Sequence, residues 1–262
     1  MPEKFRVVRM TKEHIPGAII VLREAFFTTE KVSTCVRILD DSEEIPNDTG
    51  YKLTVAAKEL EDLAIDAIKD GVSFAAVDVV TNEVYGVALN KIQKKPPPGK
   101  LSYFEQFAKD NIKEKPSLEL VDFMVRVDGM YDLFGNYNTD CLLEIMFLAV
   151  RTDKKGMGIG TALVTNSVNL GQKLKLKNEK KDPSIDVKSE AKEYQDSEAL
   201  DAVPKCVTAI FTSRFSQLCG RRSGFEEVLK VPYTEFNYKG KSYADTIGPD
   251  HPYCTLSVKT LQ

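Results

Sequence analysis

The chain has 262 residues and a formal charge of −3. It is long enough to bury a full core without disulfide staples and too near neutrality to suit a general nucleic-acid binder. No apolar run reaches the roughly 18 residues of a membrane span, the charged, alternating start MPEKFRVVRM does not read as a signal peptide, and the five scattered cysteines (Cys35, Cys141, Cys206, Cys219 and Cys254) form no CxxC or Cys/His group, so no metal is expected and a reducing, cytoplasmic setting is.

Residues 5–10 alternate as a strand, and residues 14–27 carry apolar side chains at helical spacing. The polar stretch 28–50, broken by Pro46, Asn47 and Gly50, reads as a loop. Residues 53–71 form an amphipathic helix that Gly71 ends. VSFAAVDVV and VYGVALNKIQ are two strands of a hairpin turning at Thr81-Asn82-Glu83, and the prolines of KKPPPGK fit a solvated loop. Two helices follow, over 101–113 and 117–134. CLLEIMFLAV (141–150) is nearly continuous in apolar residues, as in a strand covered on both faces. A helix is predicted over 158–175, and the charged segment 173–203 reads as an insertion outside the core. Strand CVTAIF (206–211), a short helix over 214–225 and two closing strands complete a β-α-α-β-β-α-α-β-α-β-α-β-β order. That order predicts one α/β domain over 1–262, built around a single mixed sheet.

Between the buried strand and the helix at 158 lies RTDKKGMGIGT. A strand, a glycine turn and a helix start offer free backbone N–H groups and a positive helix end to an anion such as a pyrophosphate, with Lys154, Lys155 and Arg151 adding charge. The dinucleotide pattern GxGxxG fails here because its third glycine falls on Thr161, and no Walker P-loop is present. A tight turn with no ligand is the alternative.

The whole stretch resembles the signature of the Gcn5-related N-acetyltransferase superfamily: a central strand, about four residues, then [QR]-x-x-G-x-[GA] opening a helix. Here Val150 precedes RTDK and then Lys155-Gly156-Met157-Gly158-Ile159-Gly160, with Lys155 in place of Gln or Arg. SGF (223–225) resembles the second motif, but Gly220 stands where many members carry a tyrosine acid. Three further segments resemble the insect-type arylalkylamine N-acetyltransferases, among which are dopamine N-acetyltransferases. AFFTTEKV (25–32) matches FFxxEPL with Glu30 on the glutamate and Lys31 in place of proline. FTSRFSQ (211–217) puts Thr212 and Ser216 on the paired hydroxyls, and GPDHPYCTLSVKTL (248–261) matches the closing strand with its histidine, His251. The resemblance covers about residues 4–262 outside 173–203.

It implies a mixed sheet flanked by helices and splayed in the middle to admit acetyl-CoA, and a monomeric enzyme moving acetyl to a small primary amine such as dopamine, serotonin, tyramine or octopamine. Other small amines, polyamines and agmatine among them, are the alternative acceptors, and a degenerate acyl-CoA-binding protein is the alternative outside enzymes. Leu148, Ala149 and Val150 would offer main-chain groups to the pantetheine and the oxyanion. The turn from Lys155 through Gly156, Met157, Gly158, Ile159 and Gly160 to Thr161 would hold the pyrophosphate. An alkylammonium, with a pKa of roughly 10, must lose a proton before attack, which casts Glu30 as general base and Ser216 or Thr212 as proton donor to the leaving thiolate. Phe27, Glu30 and His251 would meet the amine, and Phe26, Tyr233 and Phe236 are further candidates for its cleft. Capping of the helix after the fifth strand is the other use of Thr212 and Ser216, and Cys35 and Cys219 are candidate nucleophiles without an evident base.

Overall fold

A computed structural model describes residues 4–262. In chain order the elements are β1 (Phe5–Arg9), α1 (Ile15–Val21), α2 (Phe27–Thr29), α3 (Lys31–Cys35), α4 (Val55–Ile68), β2 (Phe74–Asp78), β3 (Val84–Lys94), α5 (Tyr103–Asn111), α6 (Lys115–Gly129), α7 (Leu133–Asn136), β4 (Cys141–Val150), α8 (Ile159–Lys180), β5 (Cys206–Phe211), α9 (Arg214–Arg222), β6 (Glu226–Pro232), β7 (Asn237–Tyr238), β8 (Lys241–Ser242), α10 (Tyr243–Ile247) and β9 (Tyr253–Thr260). One seven-stranded sheet runs in the order β1-β2-β3-β4-β5-β9-β6, with β7 and β8 paired apart from it. Only β4 and β5 run parallel; the other pairs in the sheet are antiparallel.

The β4–β5 pairing is short. It holds at Leu143–Val207, Glu144–Thr208 and Ile145–Ala209 and then stops, although β4 continues to Val150 and β5 continues alongside β9 to Phe211. The partner register changes at the same place: Leu89 faces Phe147 and Asn90 faces Ile145, so Met146 is an extra residue in β4. Such a bulge bends and twists its strand. Past it the two strands diverge, and the side of β4 that faces β5 is left without a strand partner.

Three stretches depart from the sequence-based expectations. The supposed loop 28–50 begins with helix α3, because Val32, Cys35, Val36 and Ile38 are buried. A small hairpin and α10 occupy 237–247, where no element was expected. The helix over 158–175 extends to Lys180 as α8, and the charged segment after it joins the core rather than standing outside it. There Val187, Ala191, Tyr194, Ala199 and Leu200 are buried. The Arg9 guanidinium donates to the carbonyls of Gly71 (3.0 Å) and Val187 (3.3 Å), and Asn178 donates to the carbonyls of Leu200 and Ala202. A segment poor in apolar residues can still pack when each one meets a surface already built by the sheet and α8.

Candidate active site

Where β4 and β5 part, a cleft of about 650 Å³ opens. Its floor carries Ile145, Met146, Leu148, Ala149 and Val150 from β4, and Ile210 and Phe211 from β5. One end is the glycine turn. Gly156 and Gly158 both adopt left-handed backbone, with φ of 86° and 82°, a conformation open to glycine at little cost. Gly158 is the N-cap of α8, and no side chain caps that helix. The first N–H groups of a helix have no partner within it, so those after Gly158 are available to an anion. Lys154, Lys155, Gly156, Gly158, Ile159, Gly160 and Thr161 all line the cleft; Met157 does not and packs partly buried against the core. Gly160 sits in close packing, since a Cβ there would meet Cys219 Sγ of α9 at 3.1 Å.

The expected role of Arg151 in anion binding is overturned. Its guanidinium is engaged by Glu24 at 3.3 Å, by Asp153 at 3.2 Å and by Glu83. Lys154 is shared between Asp153 and the face of Tyr85. Lys155 has no carboxylate within ion-pair distance among the described residues, and Arg222, which sequence reasoning passed over, lines the same end of the cleft.

At the other end the chain turns from α2 into α3 at Glu30. The residue caps α3: its carboxylate accepts from the amides of Val32 (3.0 Å) and Ser33 (2.7 Å). Thr212, at the end of β5, donates its hydroxyl to the same carboxylate at 2.6 Å. Both residues line the cleft. The Thr212 carbonyl accepts from the Tyr233 hydroxyl at 2.6 Å. Tyr233 is fully buried, and burial raises its phenol well above the ordinary range, so it is a fixed donor that holds the β5 end in place. Ser216 also lines the cleft, but its hydroxyl is engaged in a reciprocal cap with Ser213, donating to the Ser213 carbonyl at 3.0 Å and accepting from the Ser213 amide at 3.2 Å. Ser213 was missed as the N-cap of α9; the S-x-x-S spacing was the available signal.

Other candidate positions fall elsewhere. Phe27 does not line the cleft and is core, whereas its neighbour Phe26 does line it, tilted against Phe147 at 5.1 Å. The π turn Leu22–Phe26 advances the helix by an extra residue, which rotates the side-chain face. Phe236 and Tyr233 are core as well. His251 is buried behind α9 and outside the lining; its Nδ1 accepts from the Arg214 amide at 3.1 Å. Burial, then Lys31 and Arg214, lower its pKa, so it is neutral with its proton on Nε2 and acts as a positioning residue for α9. Cys35 lies in the core, its thiol pushed up to about 12 by burial, which removes it as a nucleophile. Gly220 could not be a tyrosine: a Cβ there would collide with the Phe211 ring. Among the described residues no group of His, Cys, Asp and Glu is arranged to hold a metal ion, and no helix is long and apolar enough to cross a membrane.

No family model matches the sequence. The fold, however, is shared. Arylalkylamine N-acetyltransferase 2 from Aedes aegypti superposes with a TM-score of 0.72 at 19% identity, covering 99% of this chain and 100% of that one. This is the fold of the Gcn5-related N-acetyltransferases. A Drosophila melanogaster polyamine N-acetyltransferase, which forms N-acetylagmatine, shares the N-acetyltransferase fold with a TM-score of 0.65 at 12% identity over 98% of this chain and 100% of its own. The C-terminal condensation domain of Ebony, solved with β-alanyl-dopamine, gives 0.62 at 14% over 98% and 99%. The splayed β4–β5 pair and the seven-stranded mixed sheet are thus those of an N-acetyltransferase fold.

Proposed function

We propose that the protein is an acetyl-CoA-dependent N-acetyltransferase acting on a small primary amine with an apolar, arylalkyl-like body. One observation carries this reading: the Glu30 carboxylate and Thr212 hydroxyl meet inside the cleft at the divergence of β4 and β5, with the uncapped glycine turn at its other end. The two functions a transferase needs, holding an anionic cosubstrate and taking a proton from an amine, then sit along one groove.

In this reading the backbone amides at the start of α8, with Lys155, bind the pyrophosphate of acetyl-CoA. The unpaired side of β4 at Leu148, Ala149 and Val150 receives the pantetheine as an added strand and gives an N–H to the oxyanion. The amine nitrogen forms a bond to the thioester carbonyl carbon, and the carbon–sulfur bond breaks. The ammonium first gives one proton to Thr212 while Thr212 hands its own proton to Glu30, and after attack the nitrogen's second proton ends on the departing sulfur as coenzyme A thiol. This relay differs from direct abstraction because the Thr212 hydroxyl already donates to Glu30 Oε1. A thiolate with a pKa near 8.5 needs only weak protonation as it leaves, and the Ser216 hydroxyl lies in the cleft for it. Phe26, Phe123, Met124 and Met146 offer an apolar wall to the acceptor's body. Polyamines and agmatine are poorer candidates, because Glu30 is the only carboxylate lining the cleft among the described residues. The test is a panel of amines incubated with acetyl-CoA and read by free thiol release. Coenzyme binding without thiol release from any amine would identify a binding protein instead.

A further inference from the structure

The charges at the acceptor end of the cleft do not suit a simple cationic amine. Glu30 is the one carboxylate there, and its oxygens already take hydrogen bonds from Val32, Ser33 and Thr212. The next residue, Lys31, also lines the cleft, and no carboxylate lies within ion-pair distance of its ammonium among the described residues. Arg214, exposed at the start of α9, likewise has no such partner, and it rests over the ring of exposed Phe215 at 5.0 Å. An ammonium approaching Glu30 enters a cleft that Lys31 also lines, and like charges repel there unless an anion offsets one of them.

We infer that the acceptor brings that anion itself: it is an α-amino acid with a large apolar or aromatic side chain, whose carboxylate pairs with Lys31 while its amine reaches Thr212 and Glu30. This inference rests on the N-acetyltransferase reading and narrows its substrate. Glu30 and Lys31 both line the cleft, so a carboxylate on the amine-bearing carbon can face one while the nitrogen faces the other. The ring then lies against the apolar wall of Phe26, Phe123, Met124 and Met146. A diamine gains nothing in this arrangement, because its second charge finds no carboxylate.

Tyrosine and tyramine differ only by the carboxylate on the carbon that bears the amine, so they isolate the claim. With acetyl-CoA saturating, the wild-type protein should show a kcat/KM for tyrosine about tenfold or more above that for tyramine, as one paired charge predicts. Lys31→Glu should reverse the preference. Lys31 is the first residue of α3, where an acidic side chain is favoured, so the variant keeps its fold. Binding of both ligands to the protein–CoA complex by calorimetry accompanies the kinetics. A wild-type preference for tyramine, or a ratio that Lys31→Glu leaves unmoved, overturns the inference. If neither compound releases thiol, the affinity ratio still decides whether Lys31 selects the carboxylate, and the amine panel decides the acetyl-transfer reading.

Discussion

Replacing Glu30 by Gln and Thr212 by Val, singly and together, tests whether the two act as one proton relay. Glu30→Gln keeps volume but removes the charge that three donors share. Thr212→Val removes one of those donors, the 2.6 Å bond, and leaves the two amide contacts that cap α3. A general-base contribution is typically about 10²–10⁴-fold, or roughly 3–5 kcal/mol of activation free energy at about 1.4 kcal/mol per decade. Each single variant should lose that much in kcat/KM. The double variant should fall no further than the worse single, since residues acting as a unit are not additive. The stability cost is smaller: a hydrogen bond to a charged group contributes about 1.5–3 kcal/mol, a shift of several degrees in Tm for a chain of this size. The assay is thiol release from acetyl-CoA between pH 6 and 9, beside urea unfolding and coenzyme affinity. In Glu30→Gln the acid limb that reports the enzyme's base should vanish, leaving only ionisation of the acceptor. Single variants within about threefold of wild type, or effects that multiply in the double variant, would refute the relay.

Gly158→Asp introduces a carboxylate among the free amides at the start of α8; nothing lies within 4 Å of the added Cβ, although the φ of 82° strains any side chain there; acetyl-CoA affinity should drop by at least about tenfold in a protein shown by circular dichroism to be folded, and unchanged affinity in calorimetry would remove the pyrophosphate assignment. Leu200→Ala, at a fully buried position in the charged segment, should cost about 2–5 kcal/mol in urea unfolding; a loss under 0.5 kcal/mol, the size typical of surface substitutions, would show that the segment is peripheral. Burial and then the nearby Asp128 raise the Glu144 carboxyl well above its ordinary range, and burial lifts Asp128 to about 7. The folded pair therefore holds protons that the unfolded chain releases from about pH 4 upward, and its contribution to stability is fully present below that range and lost as pH rises through about 7. Asp128→Asn should flatten this decline between about pH 4 and 7, and equal slopes in both proteins would discount the pair.

Features set by neighbouring residues are legible in the sequence. The glycine turn was legible because positive φ at Gly156 and Gly158 and the start of α8 are properties of consecutive residues. The strands and most helices were legible because burial on a sheet or helix face repeats at a fixed spacing. Where a local irregularity breaks the spacing, neighbouring candidates part: past the π turn Leu22–Phe26, Phe26 lines the cleft as expected while Phe27 lies in the core. Short apolar groups such as Val32, Cys35 and Val36, or Val187 and Leu200, carry too little period to be read, and only a surface assembled from distant strands and helices buries them. The cleft itself was decided by tertiary structure, through the bulge at Met146 and the early end of the β4–β5 ladder. So were the release of the β4 side, the diversion of Arg151 to Glu24, Glu83 and Asp153, and the retreat of His251 behind α9. Glu30 and Thr212 are 182 positions apart in the chain. No pattern along the sequence records that distance, because it closes only when the capped start of α3 meets the end of β5, whose Thr212 carbonyl is held by the buried Tyr233.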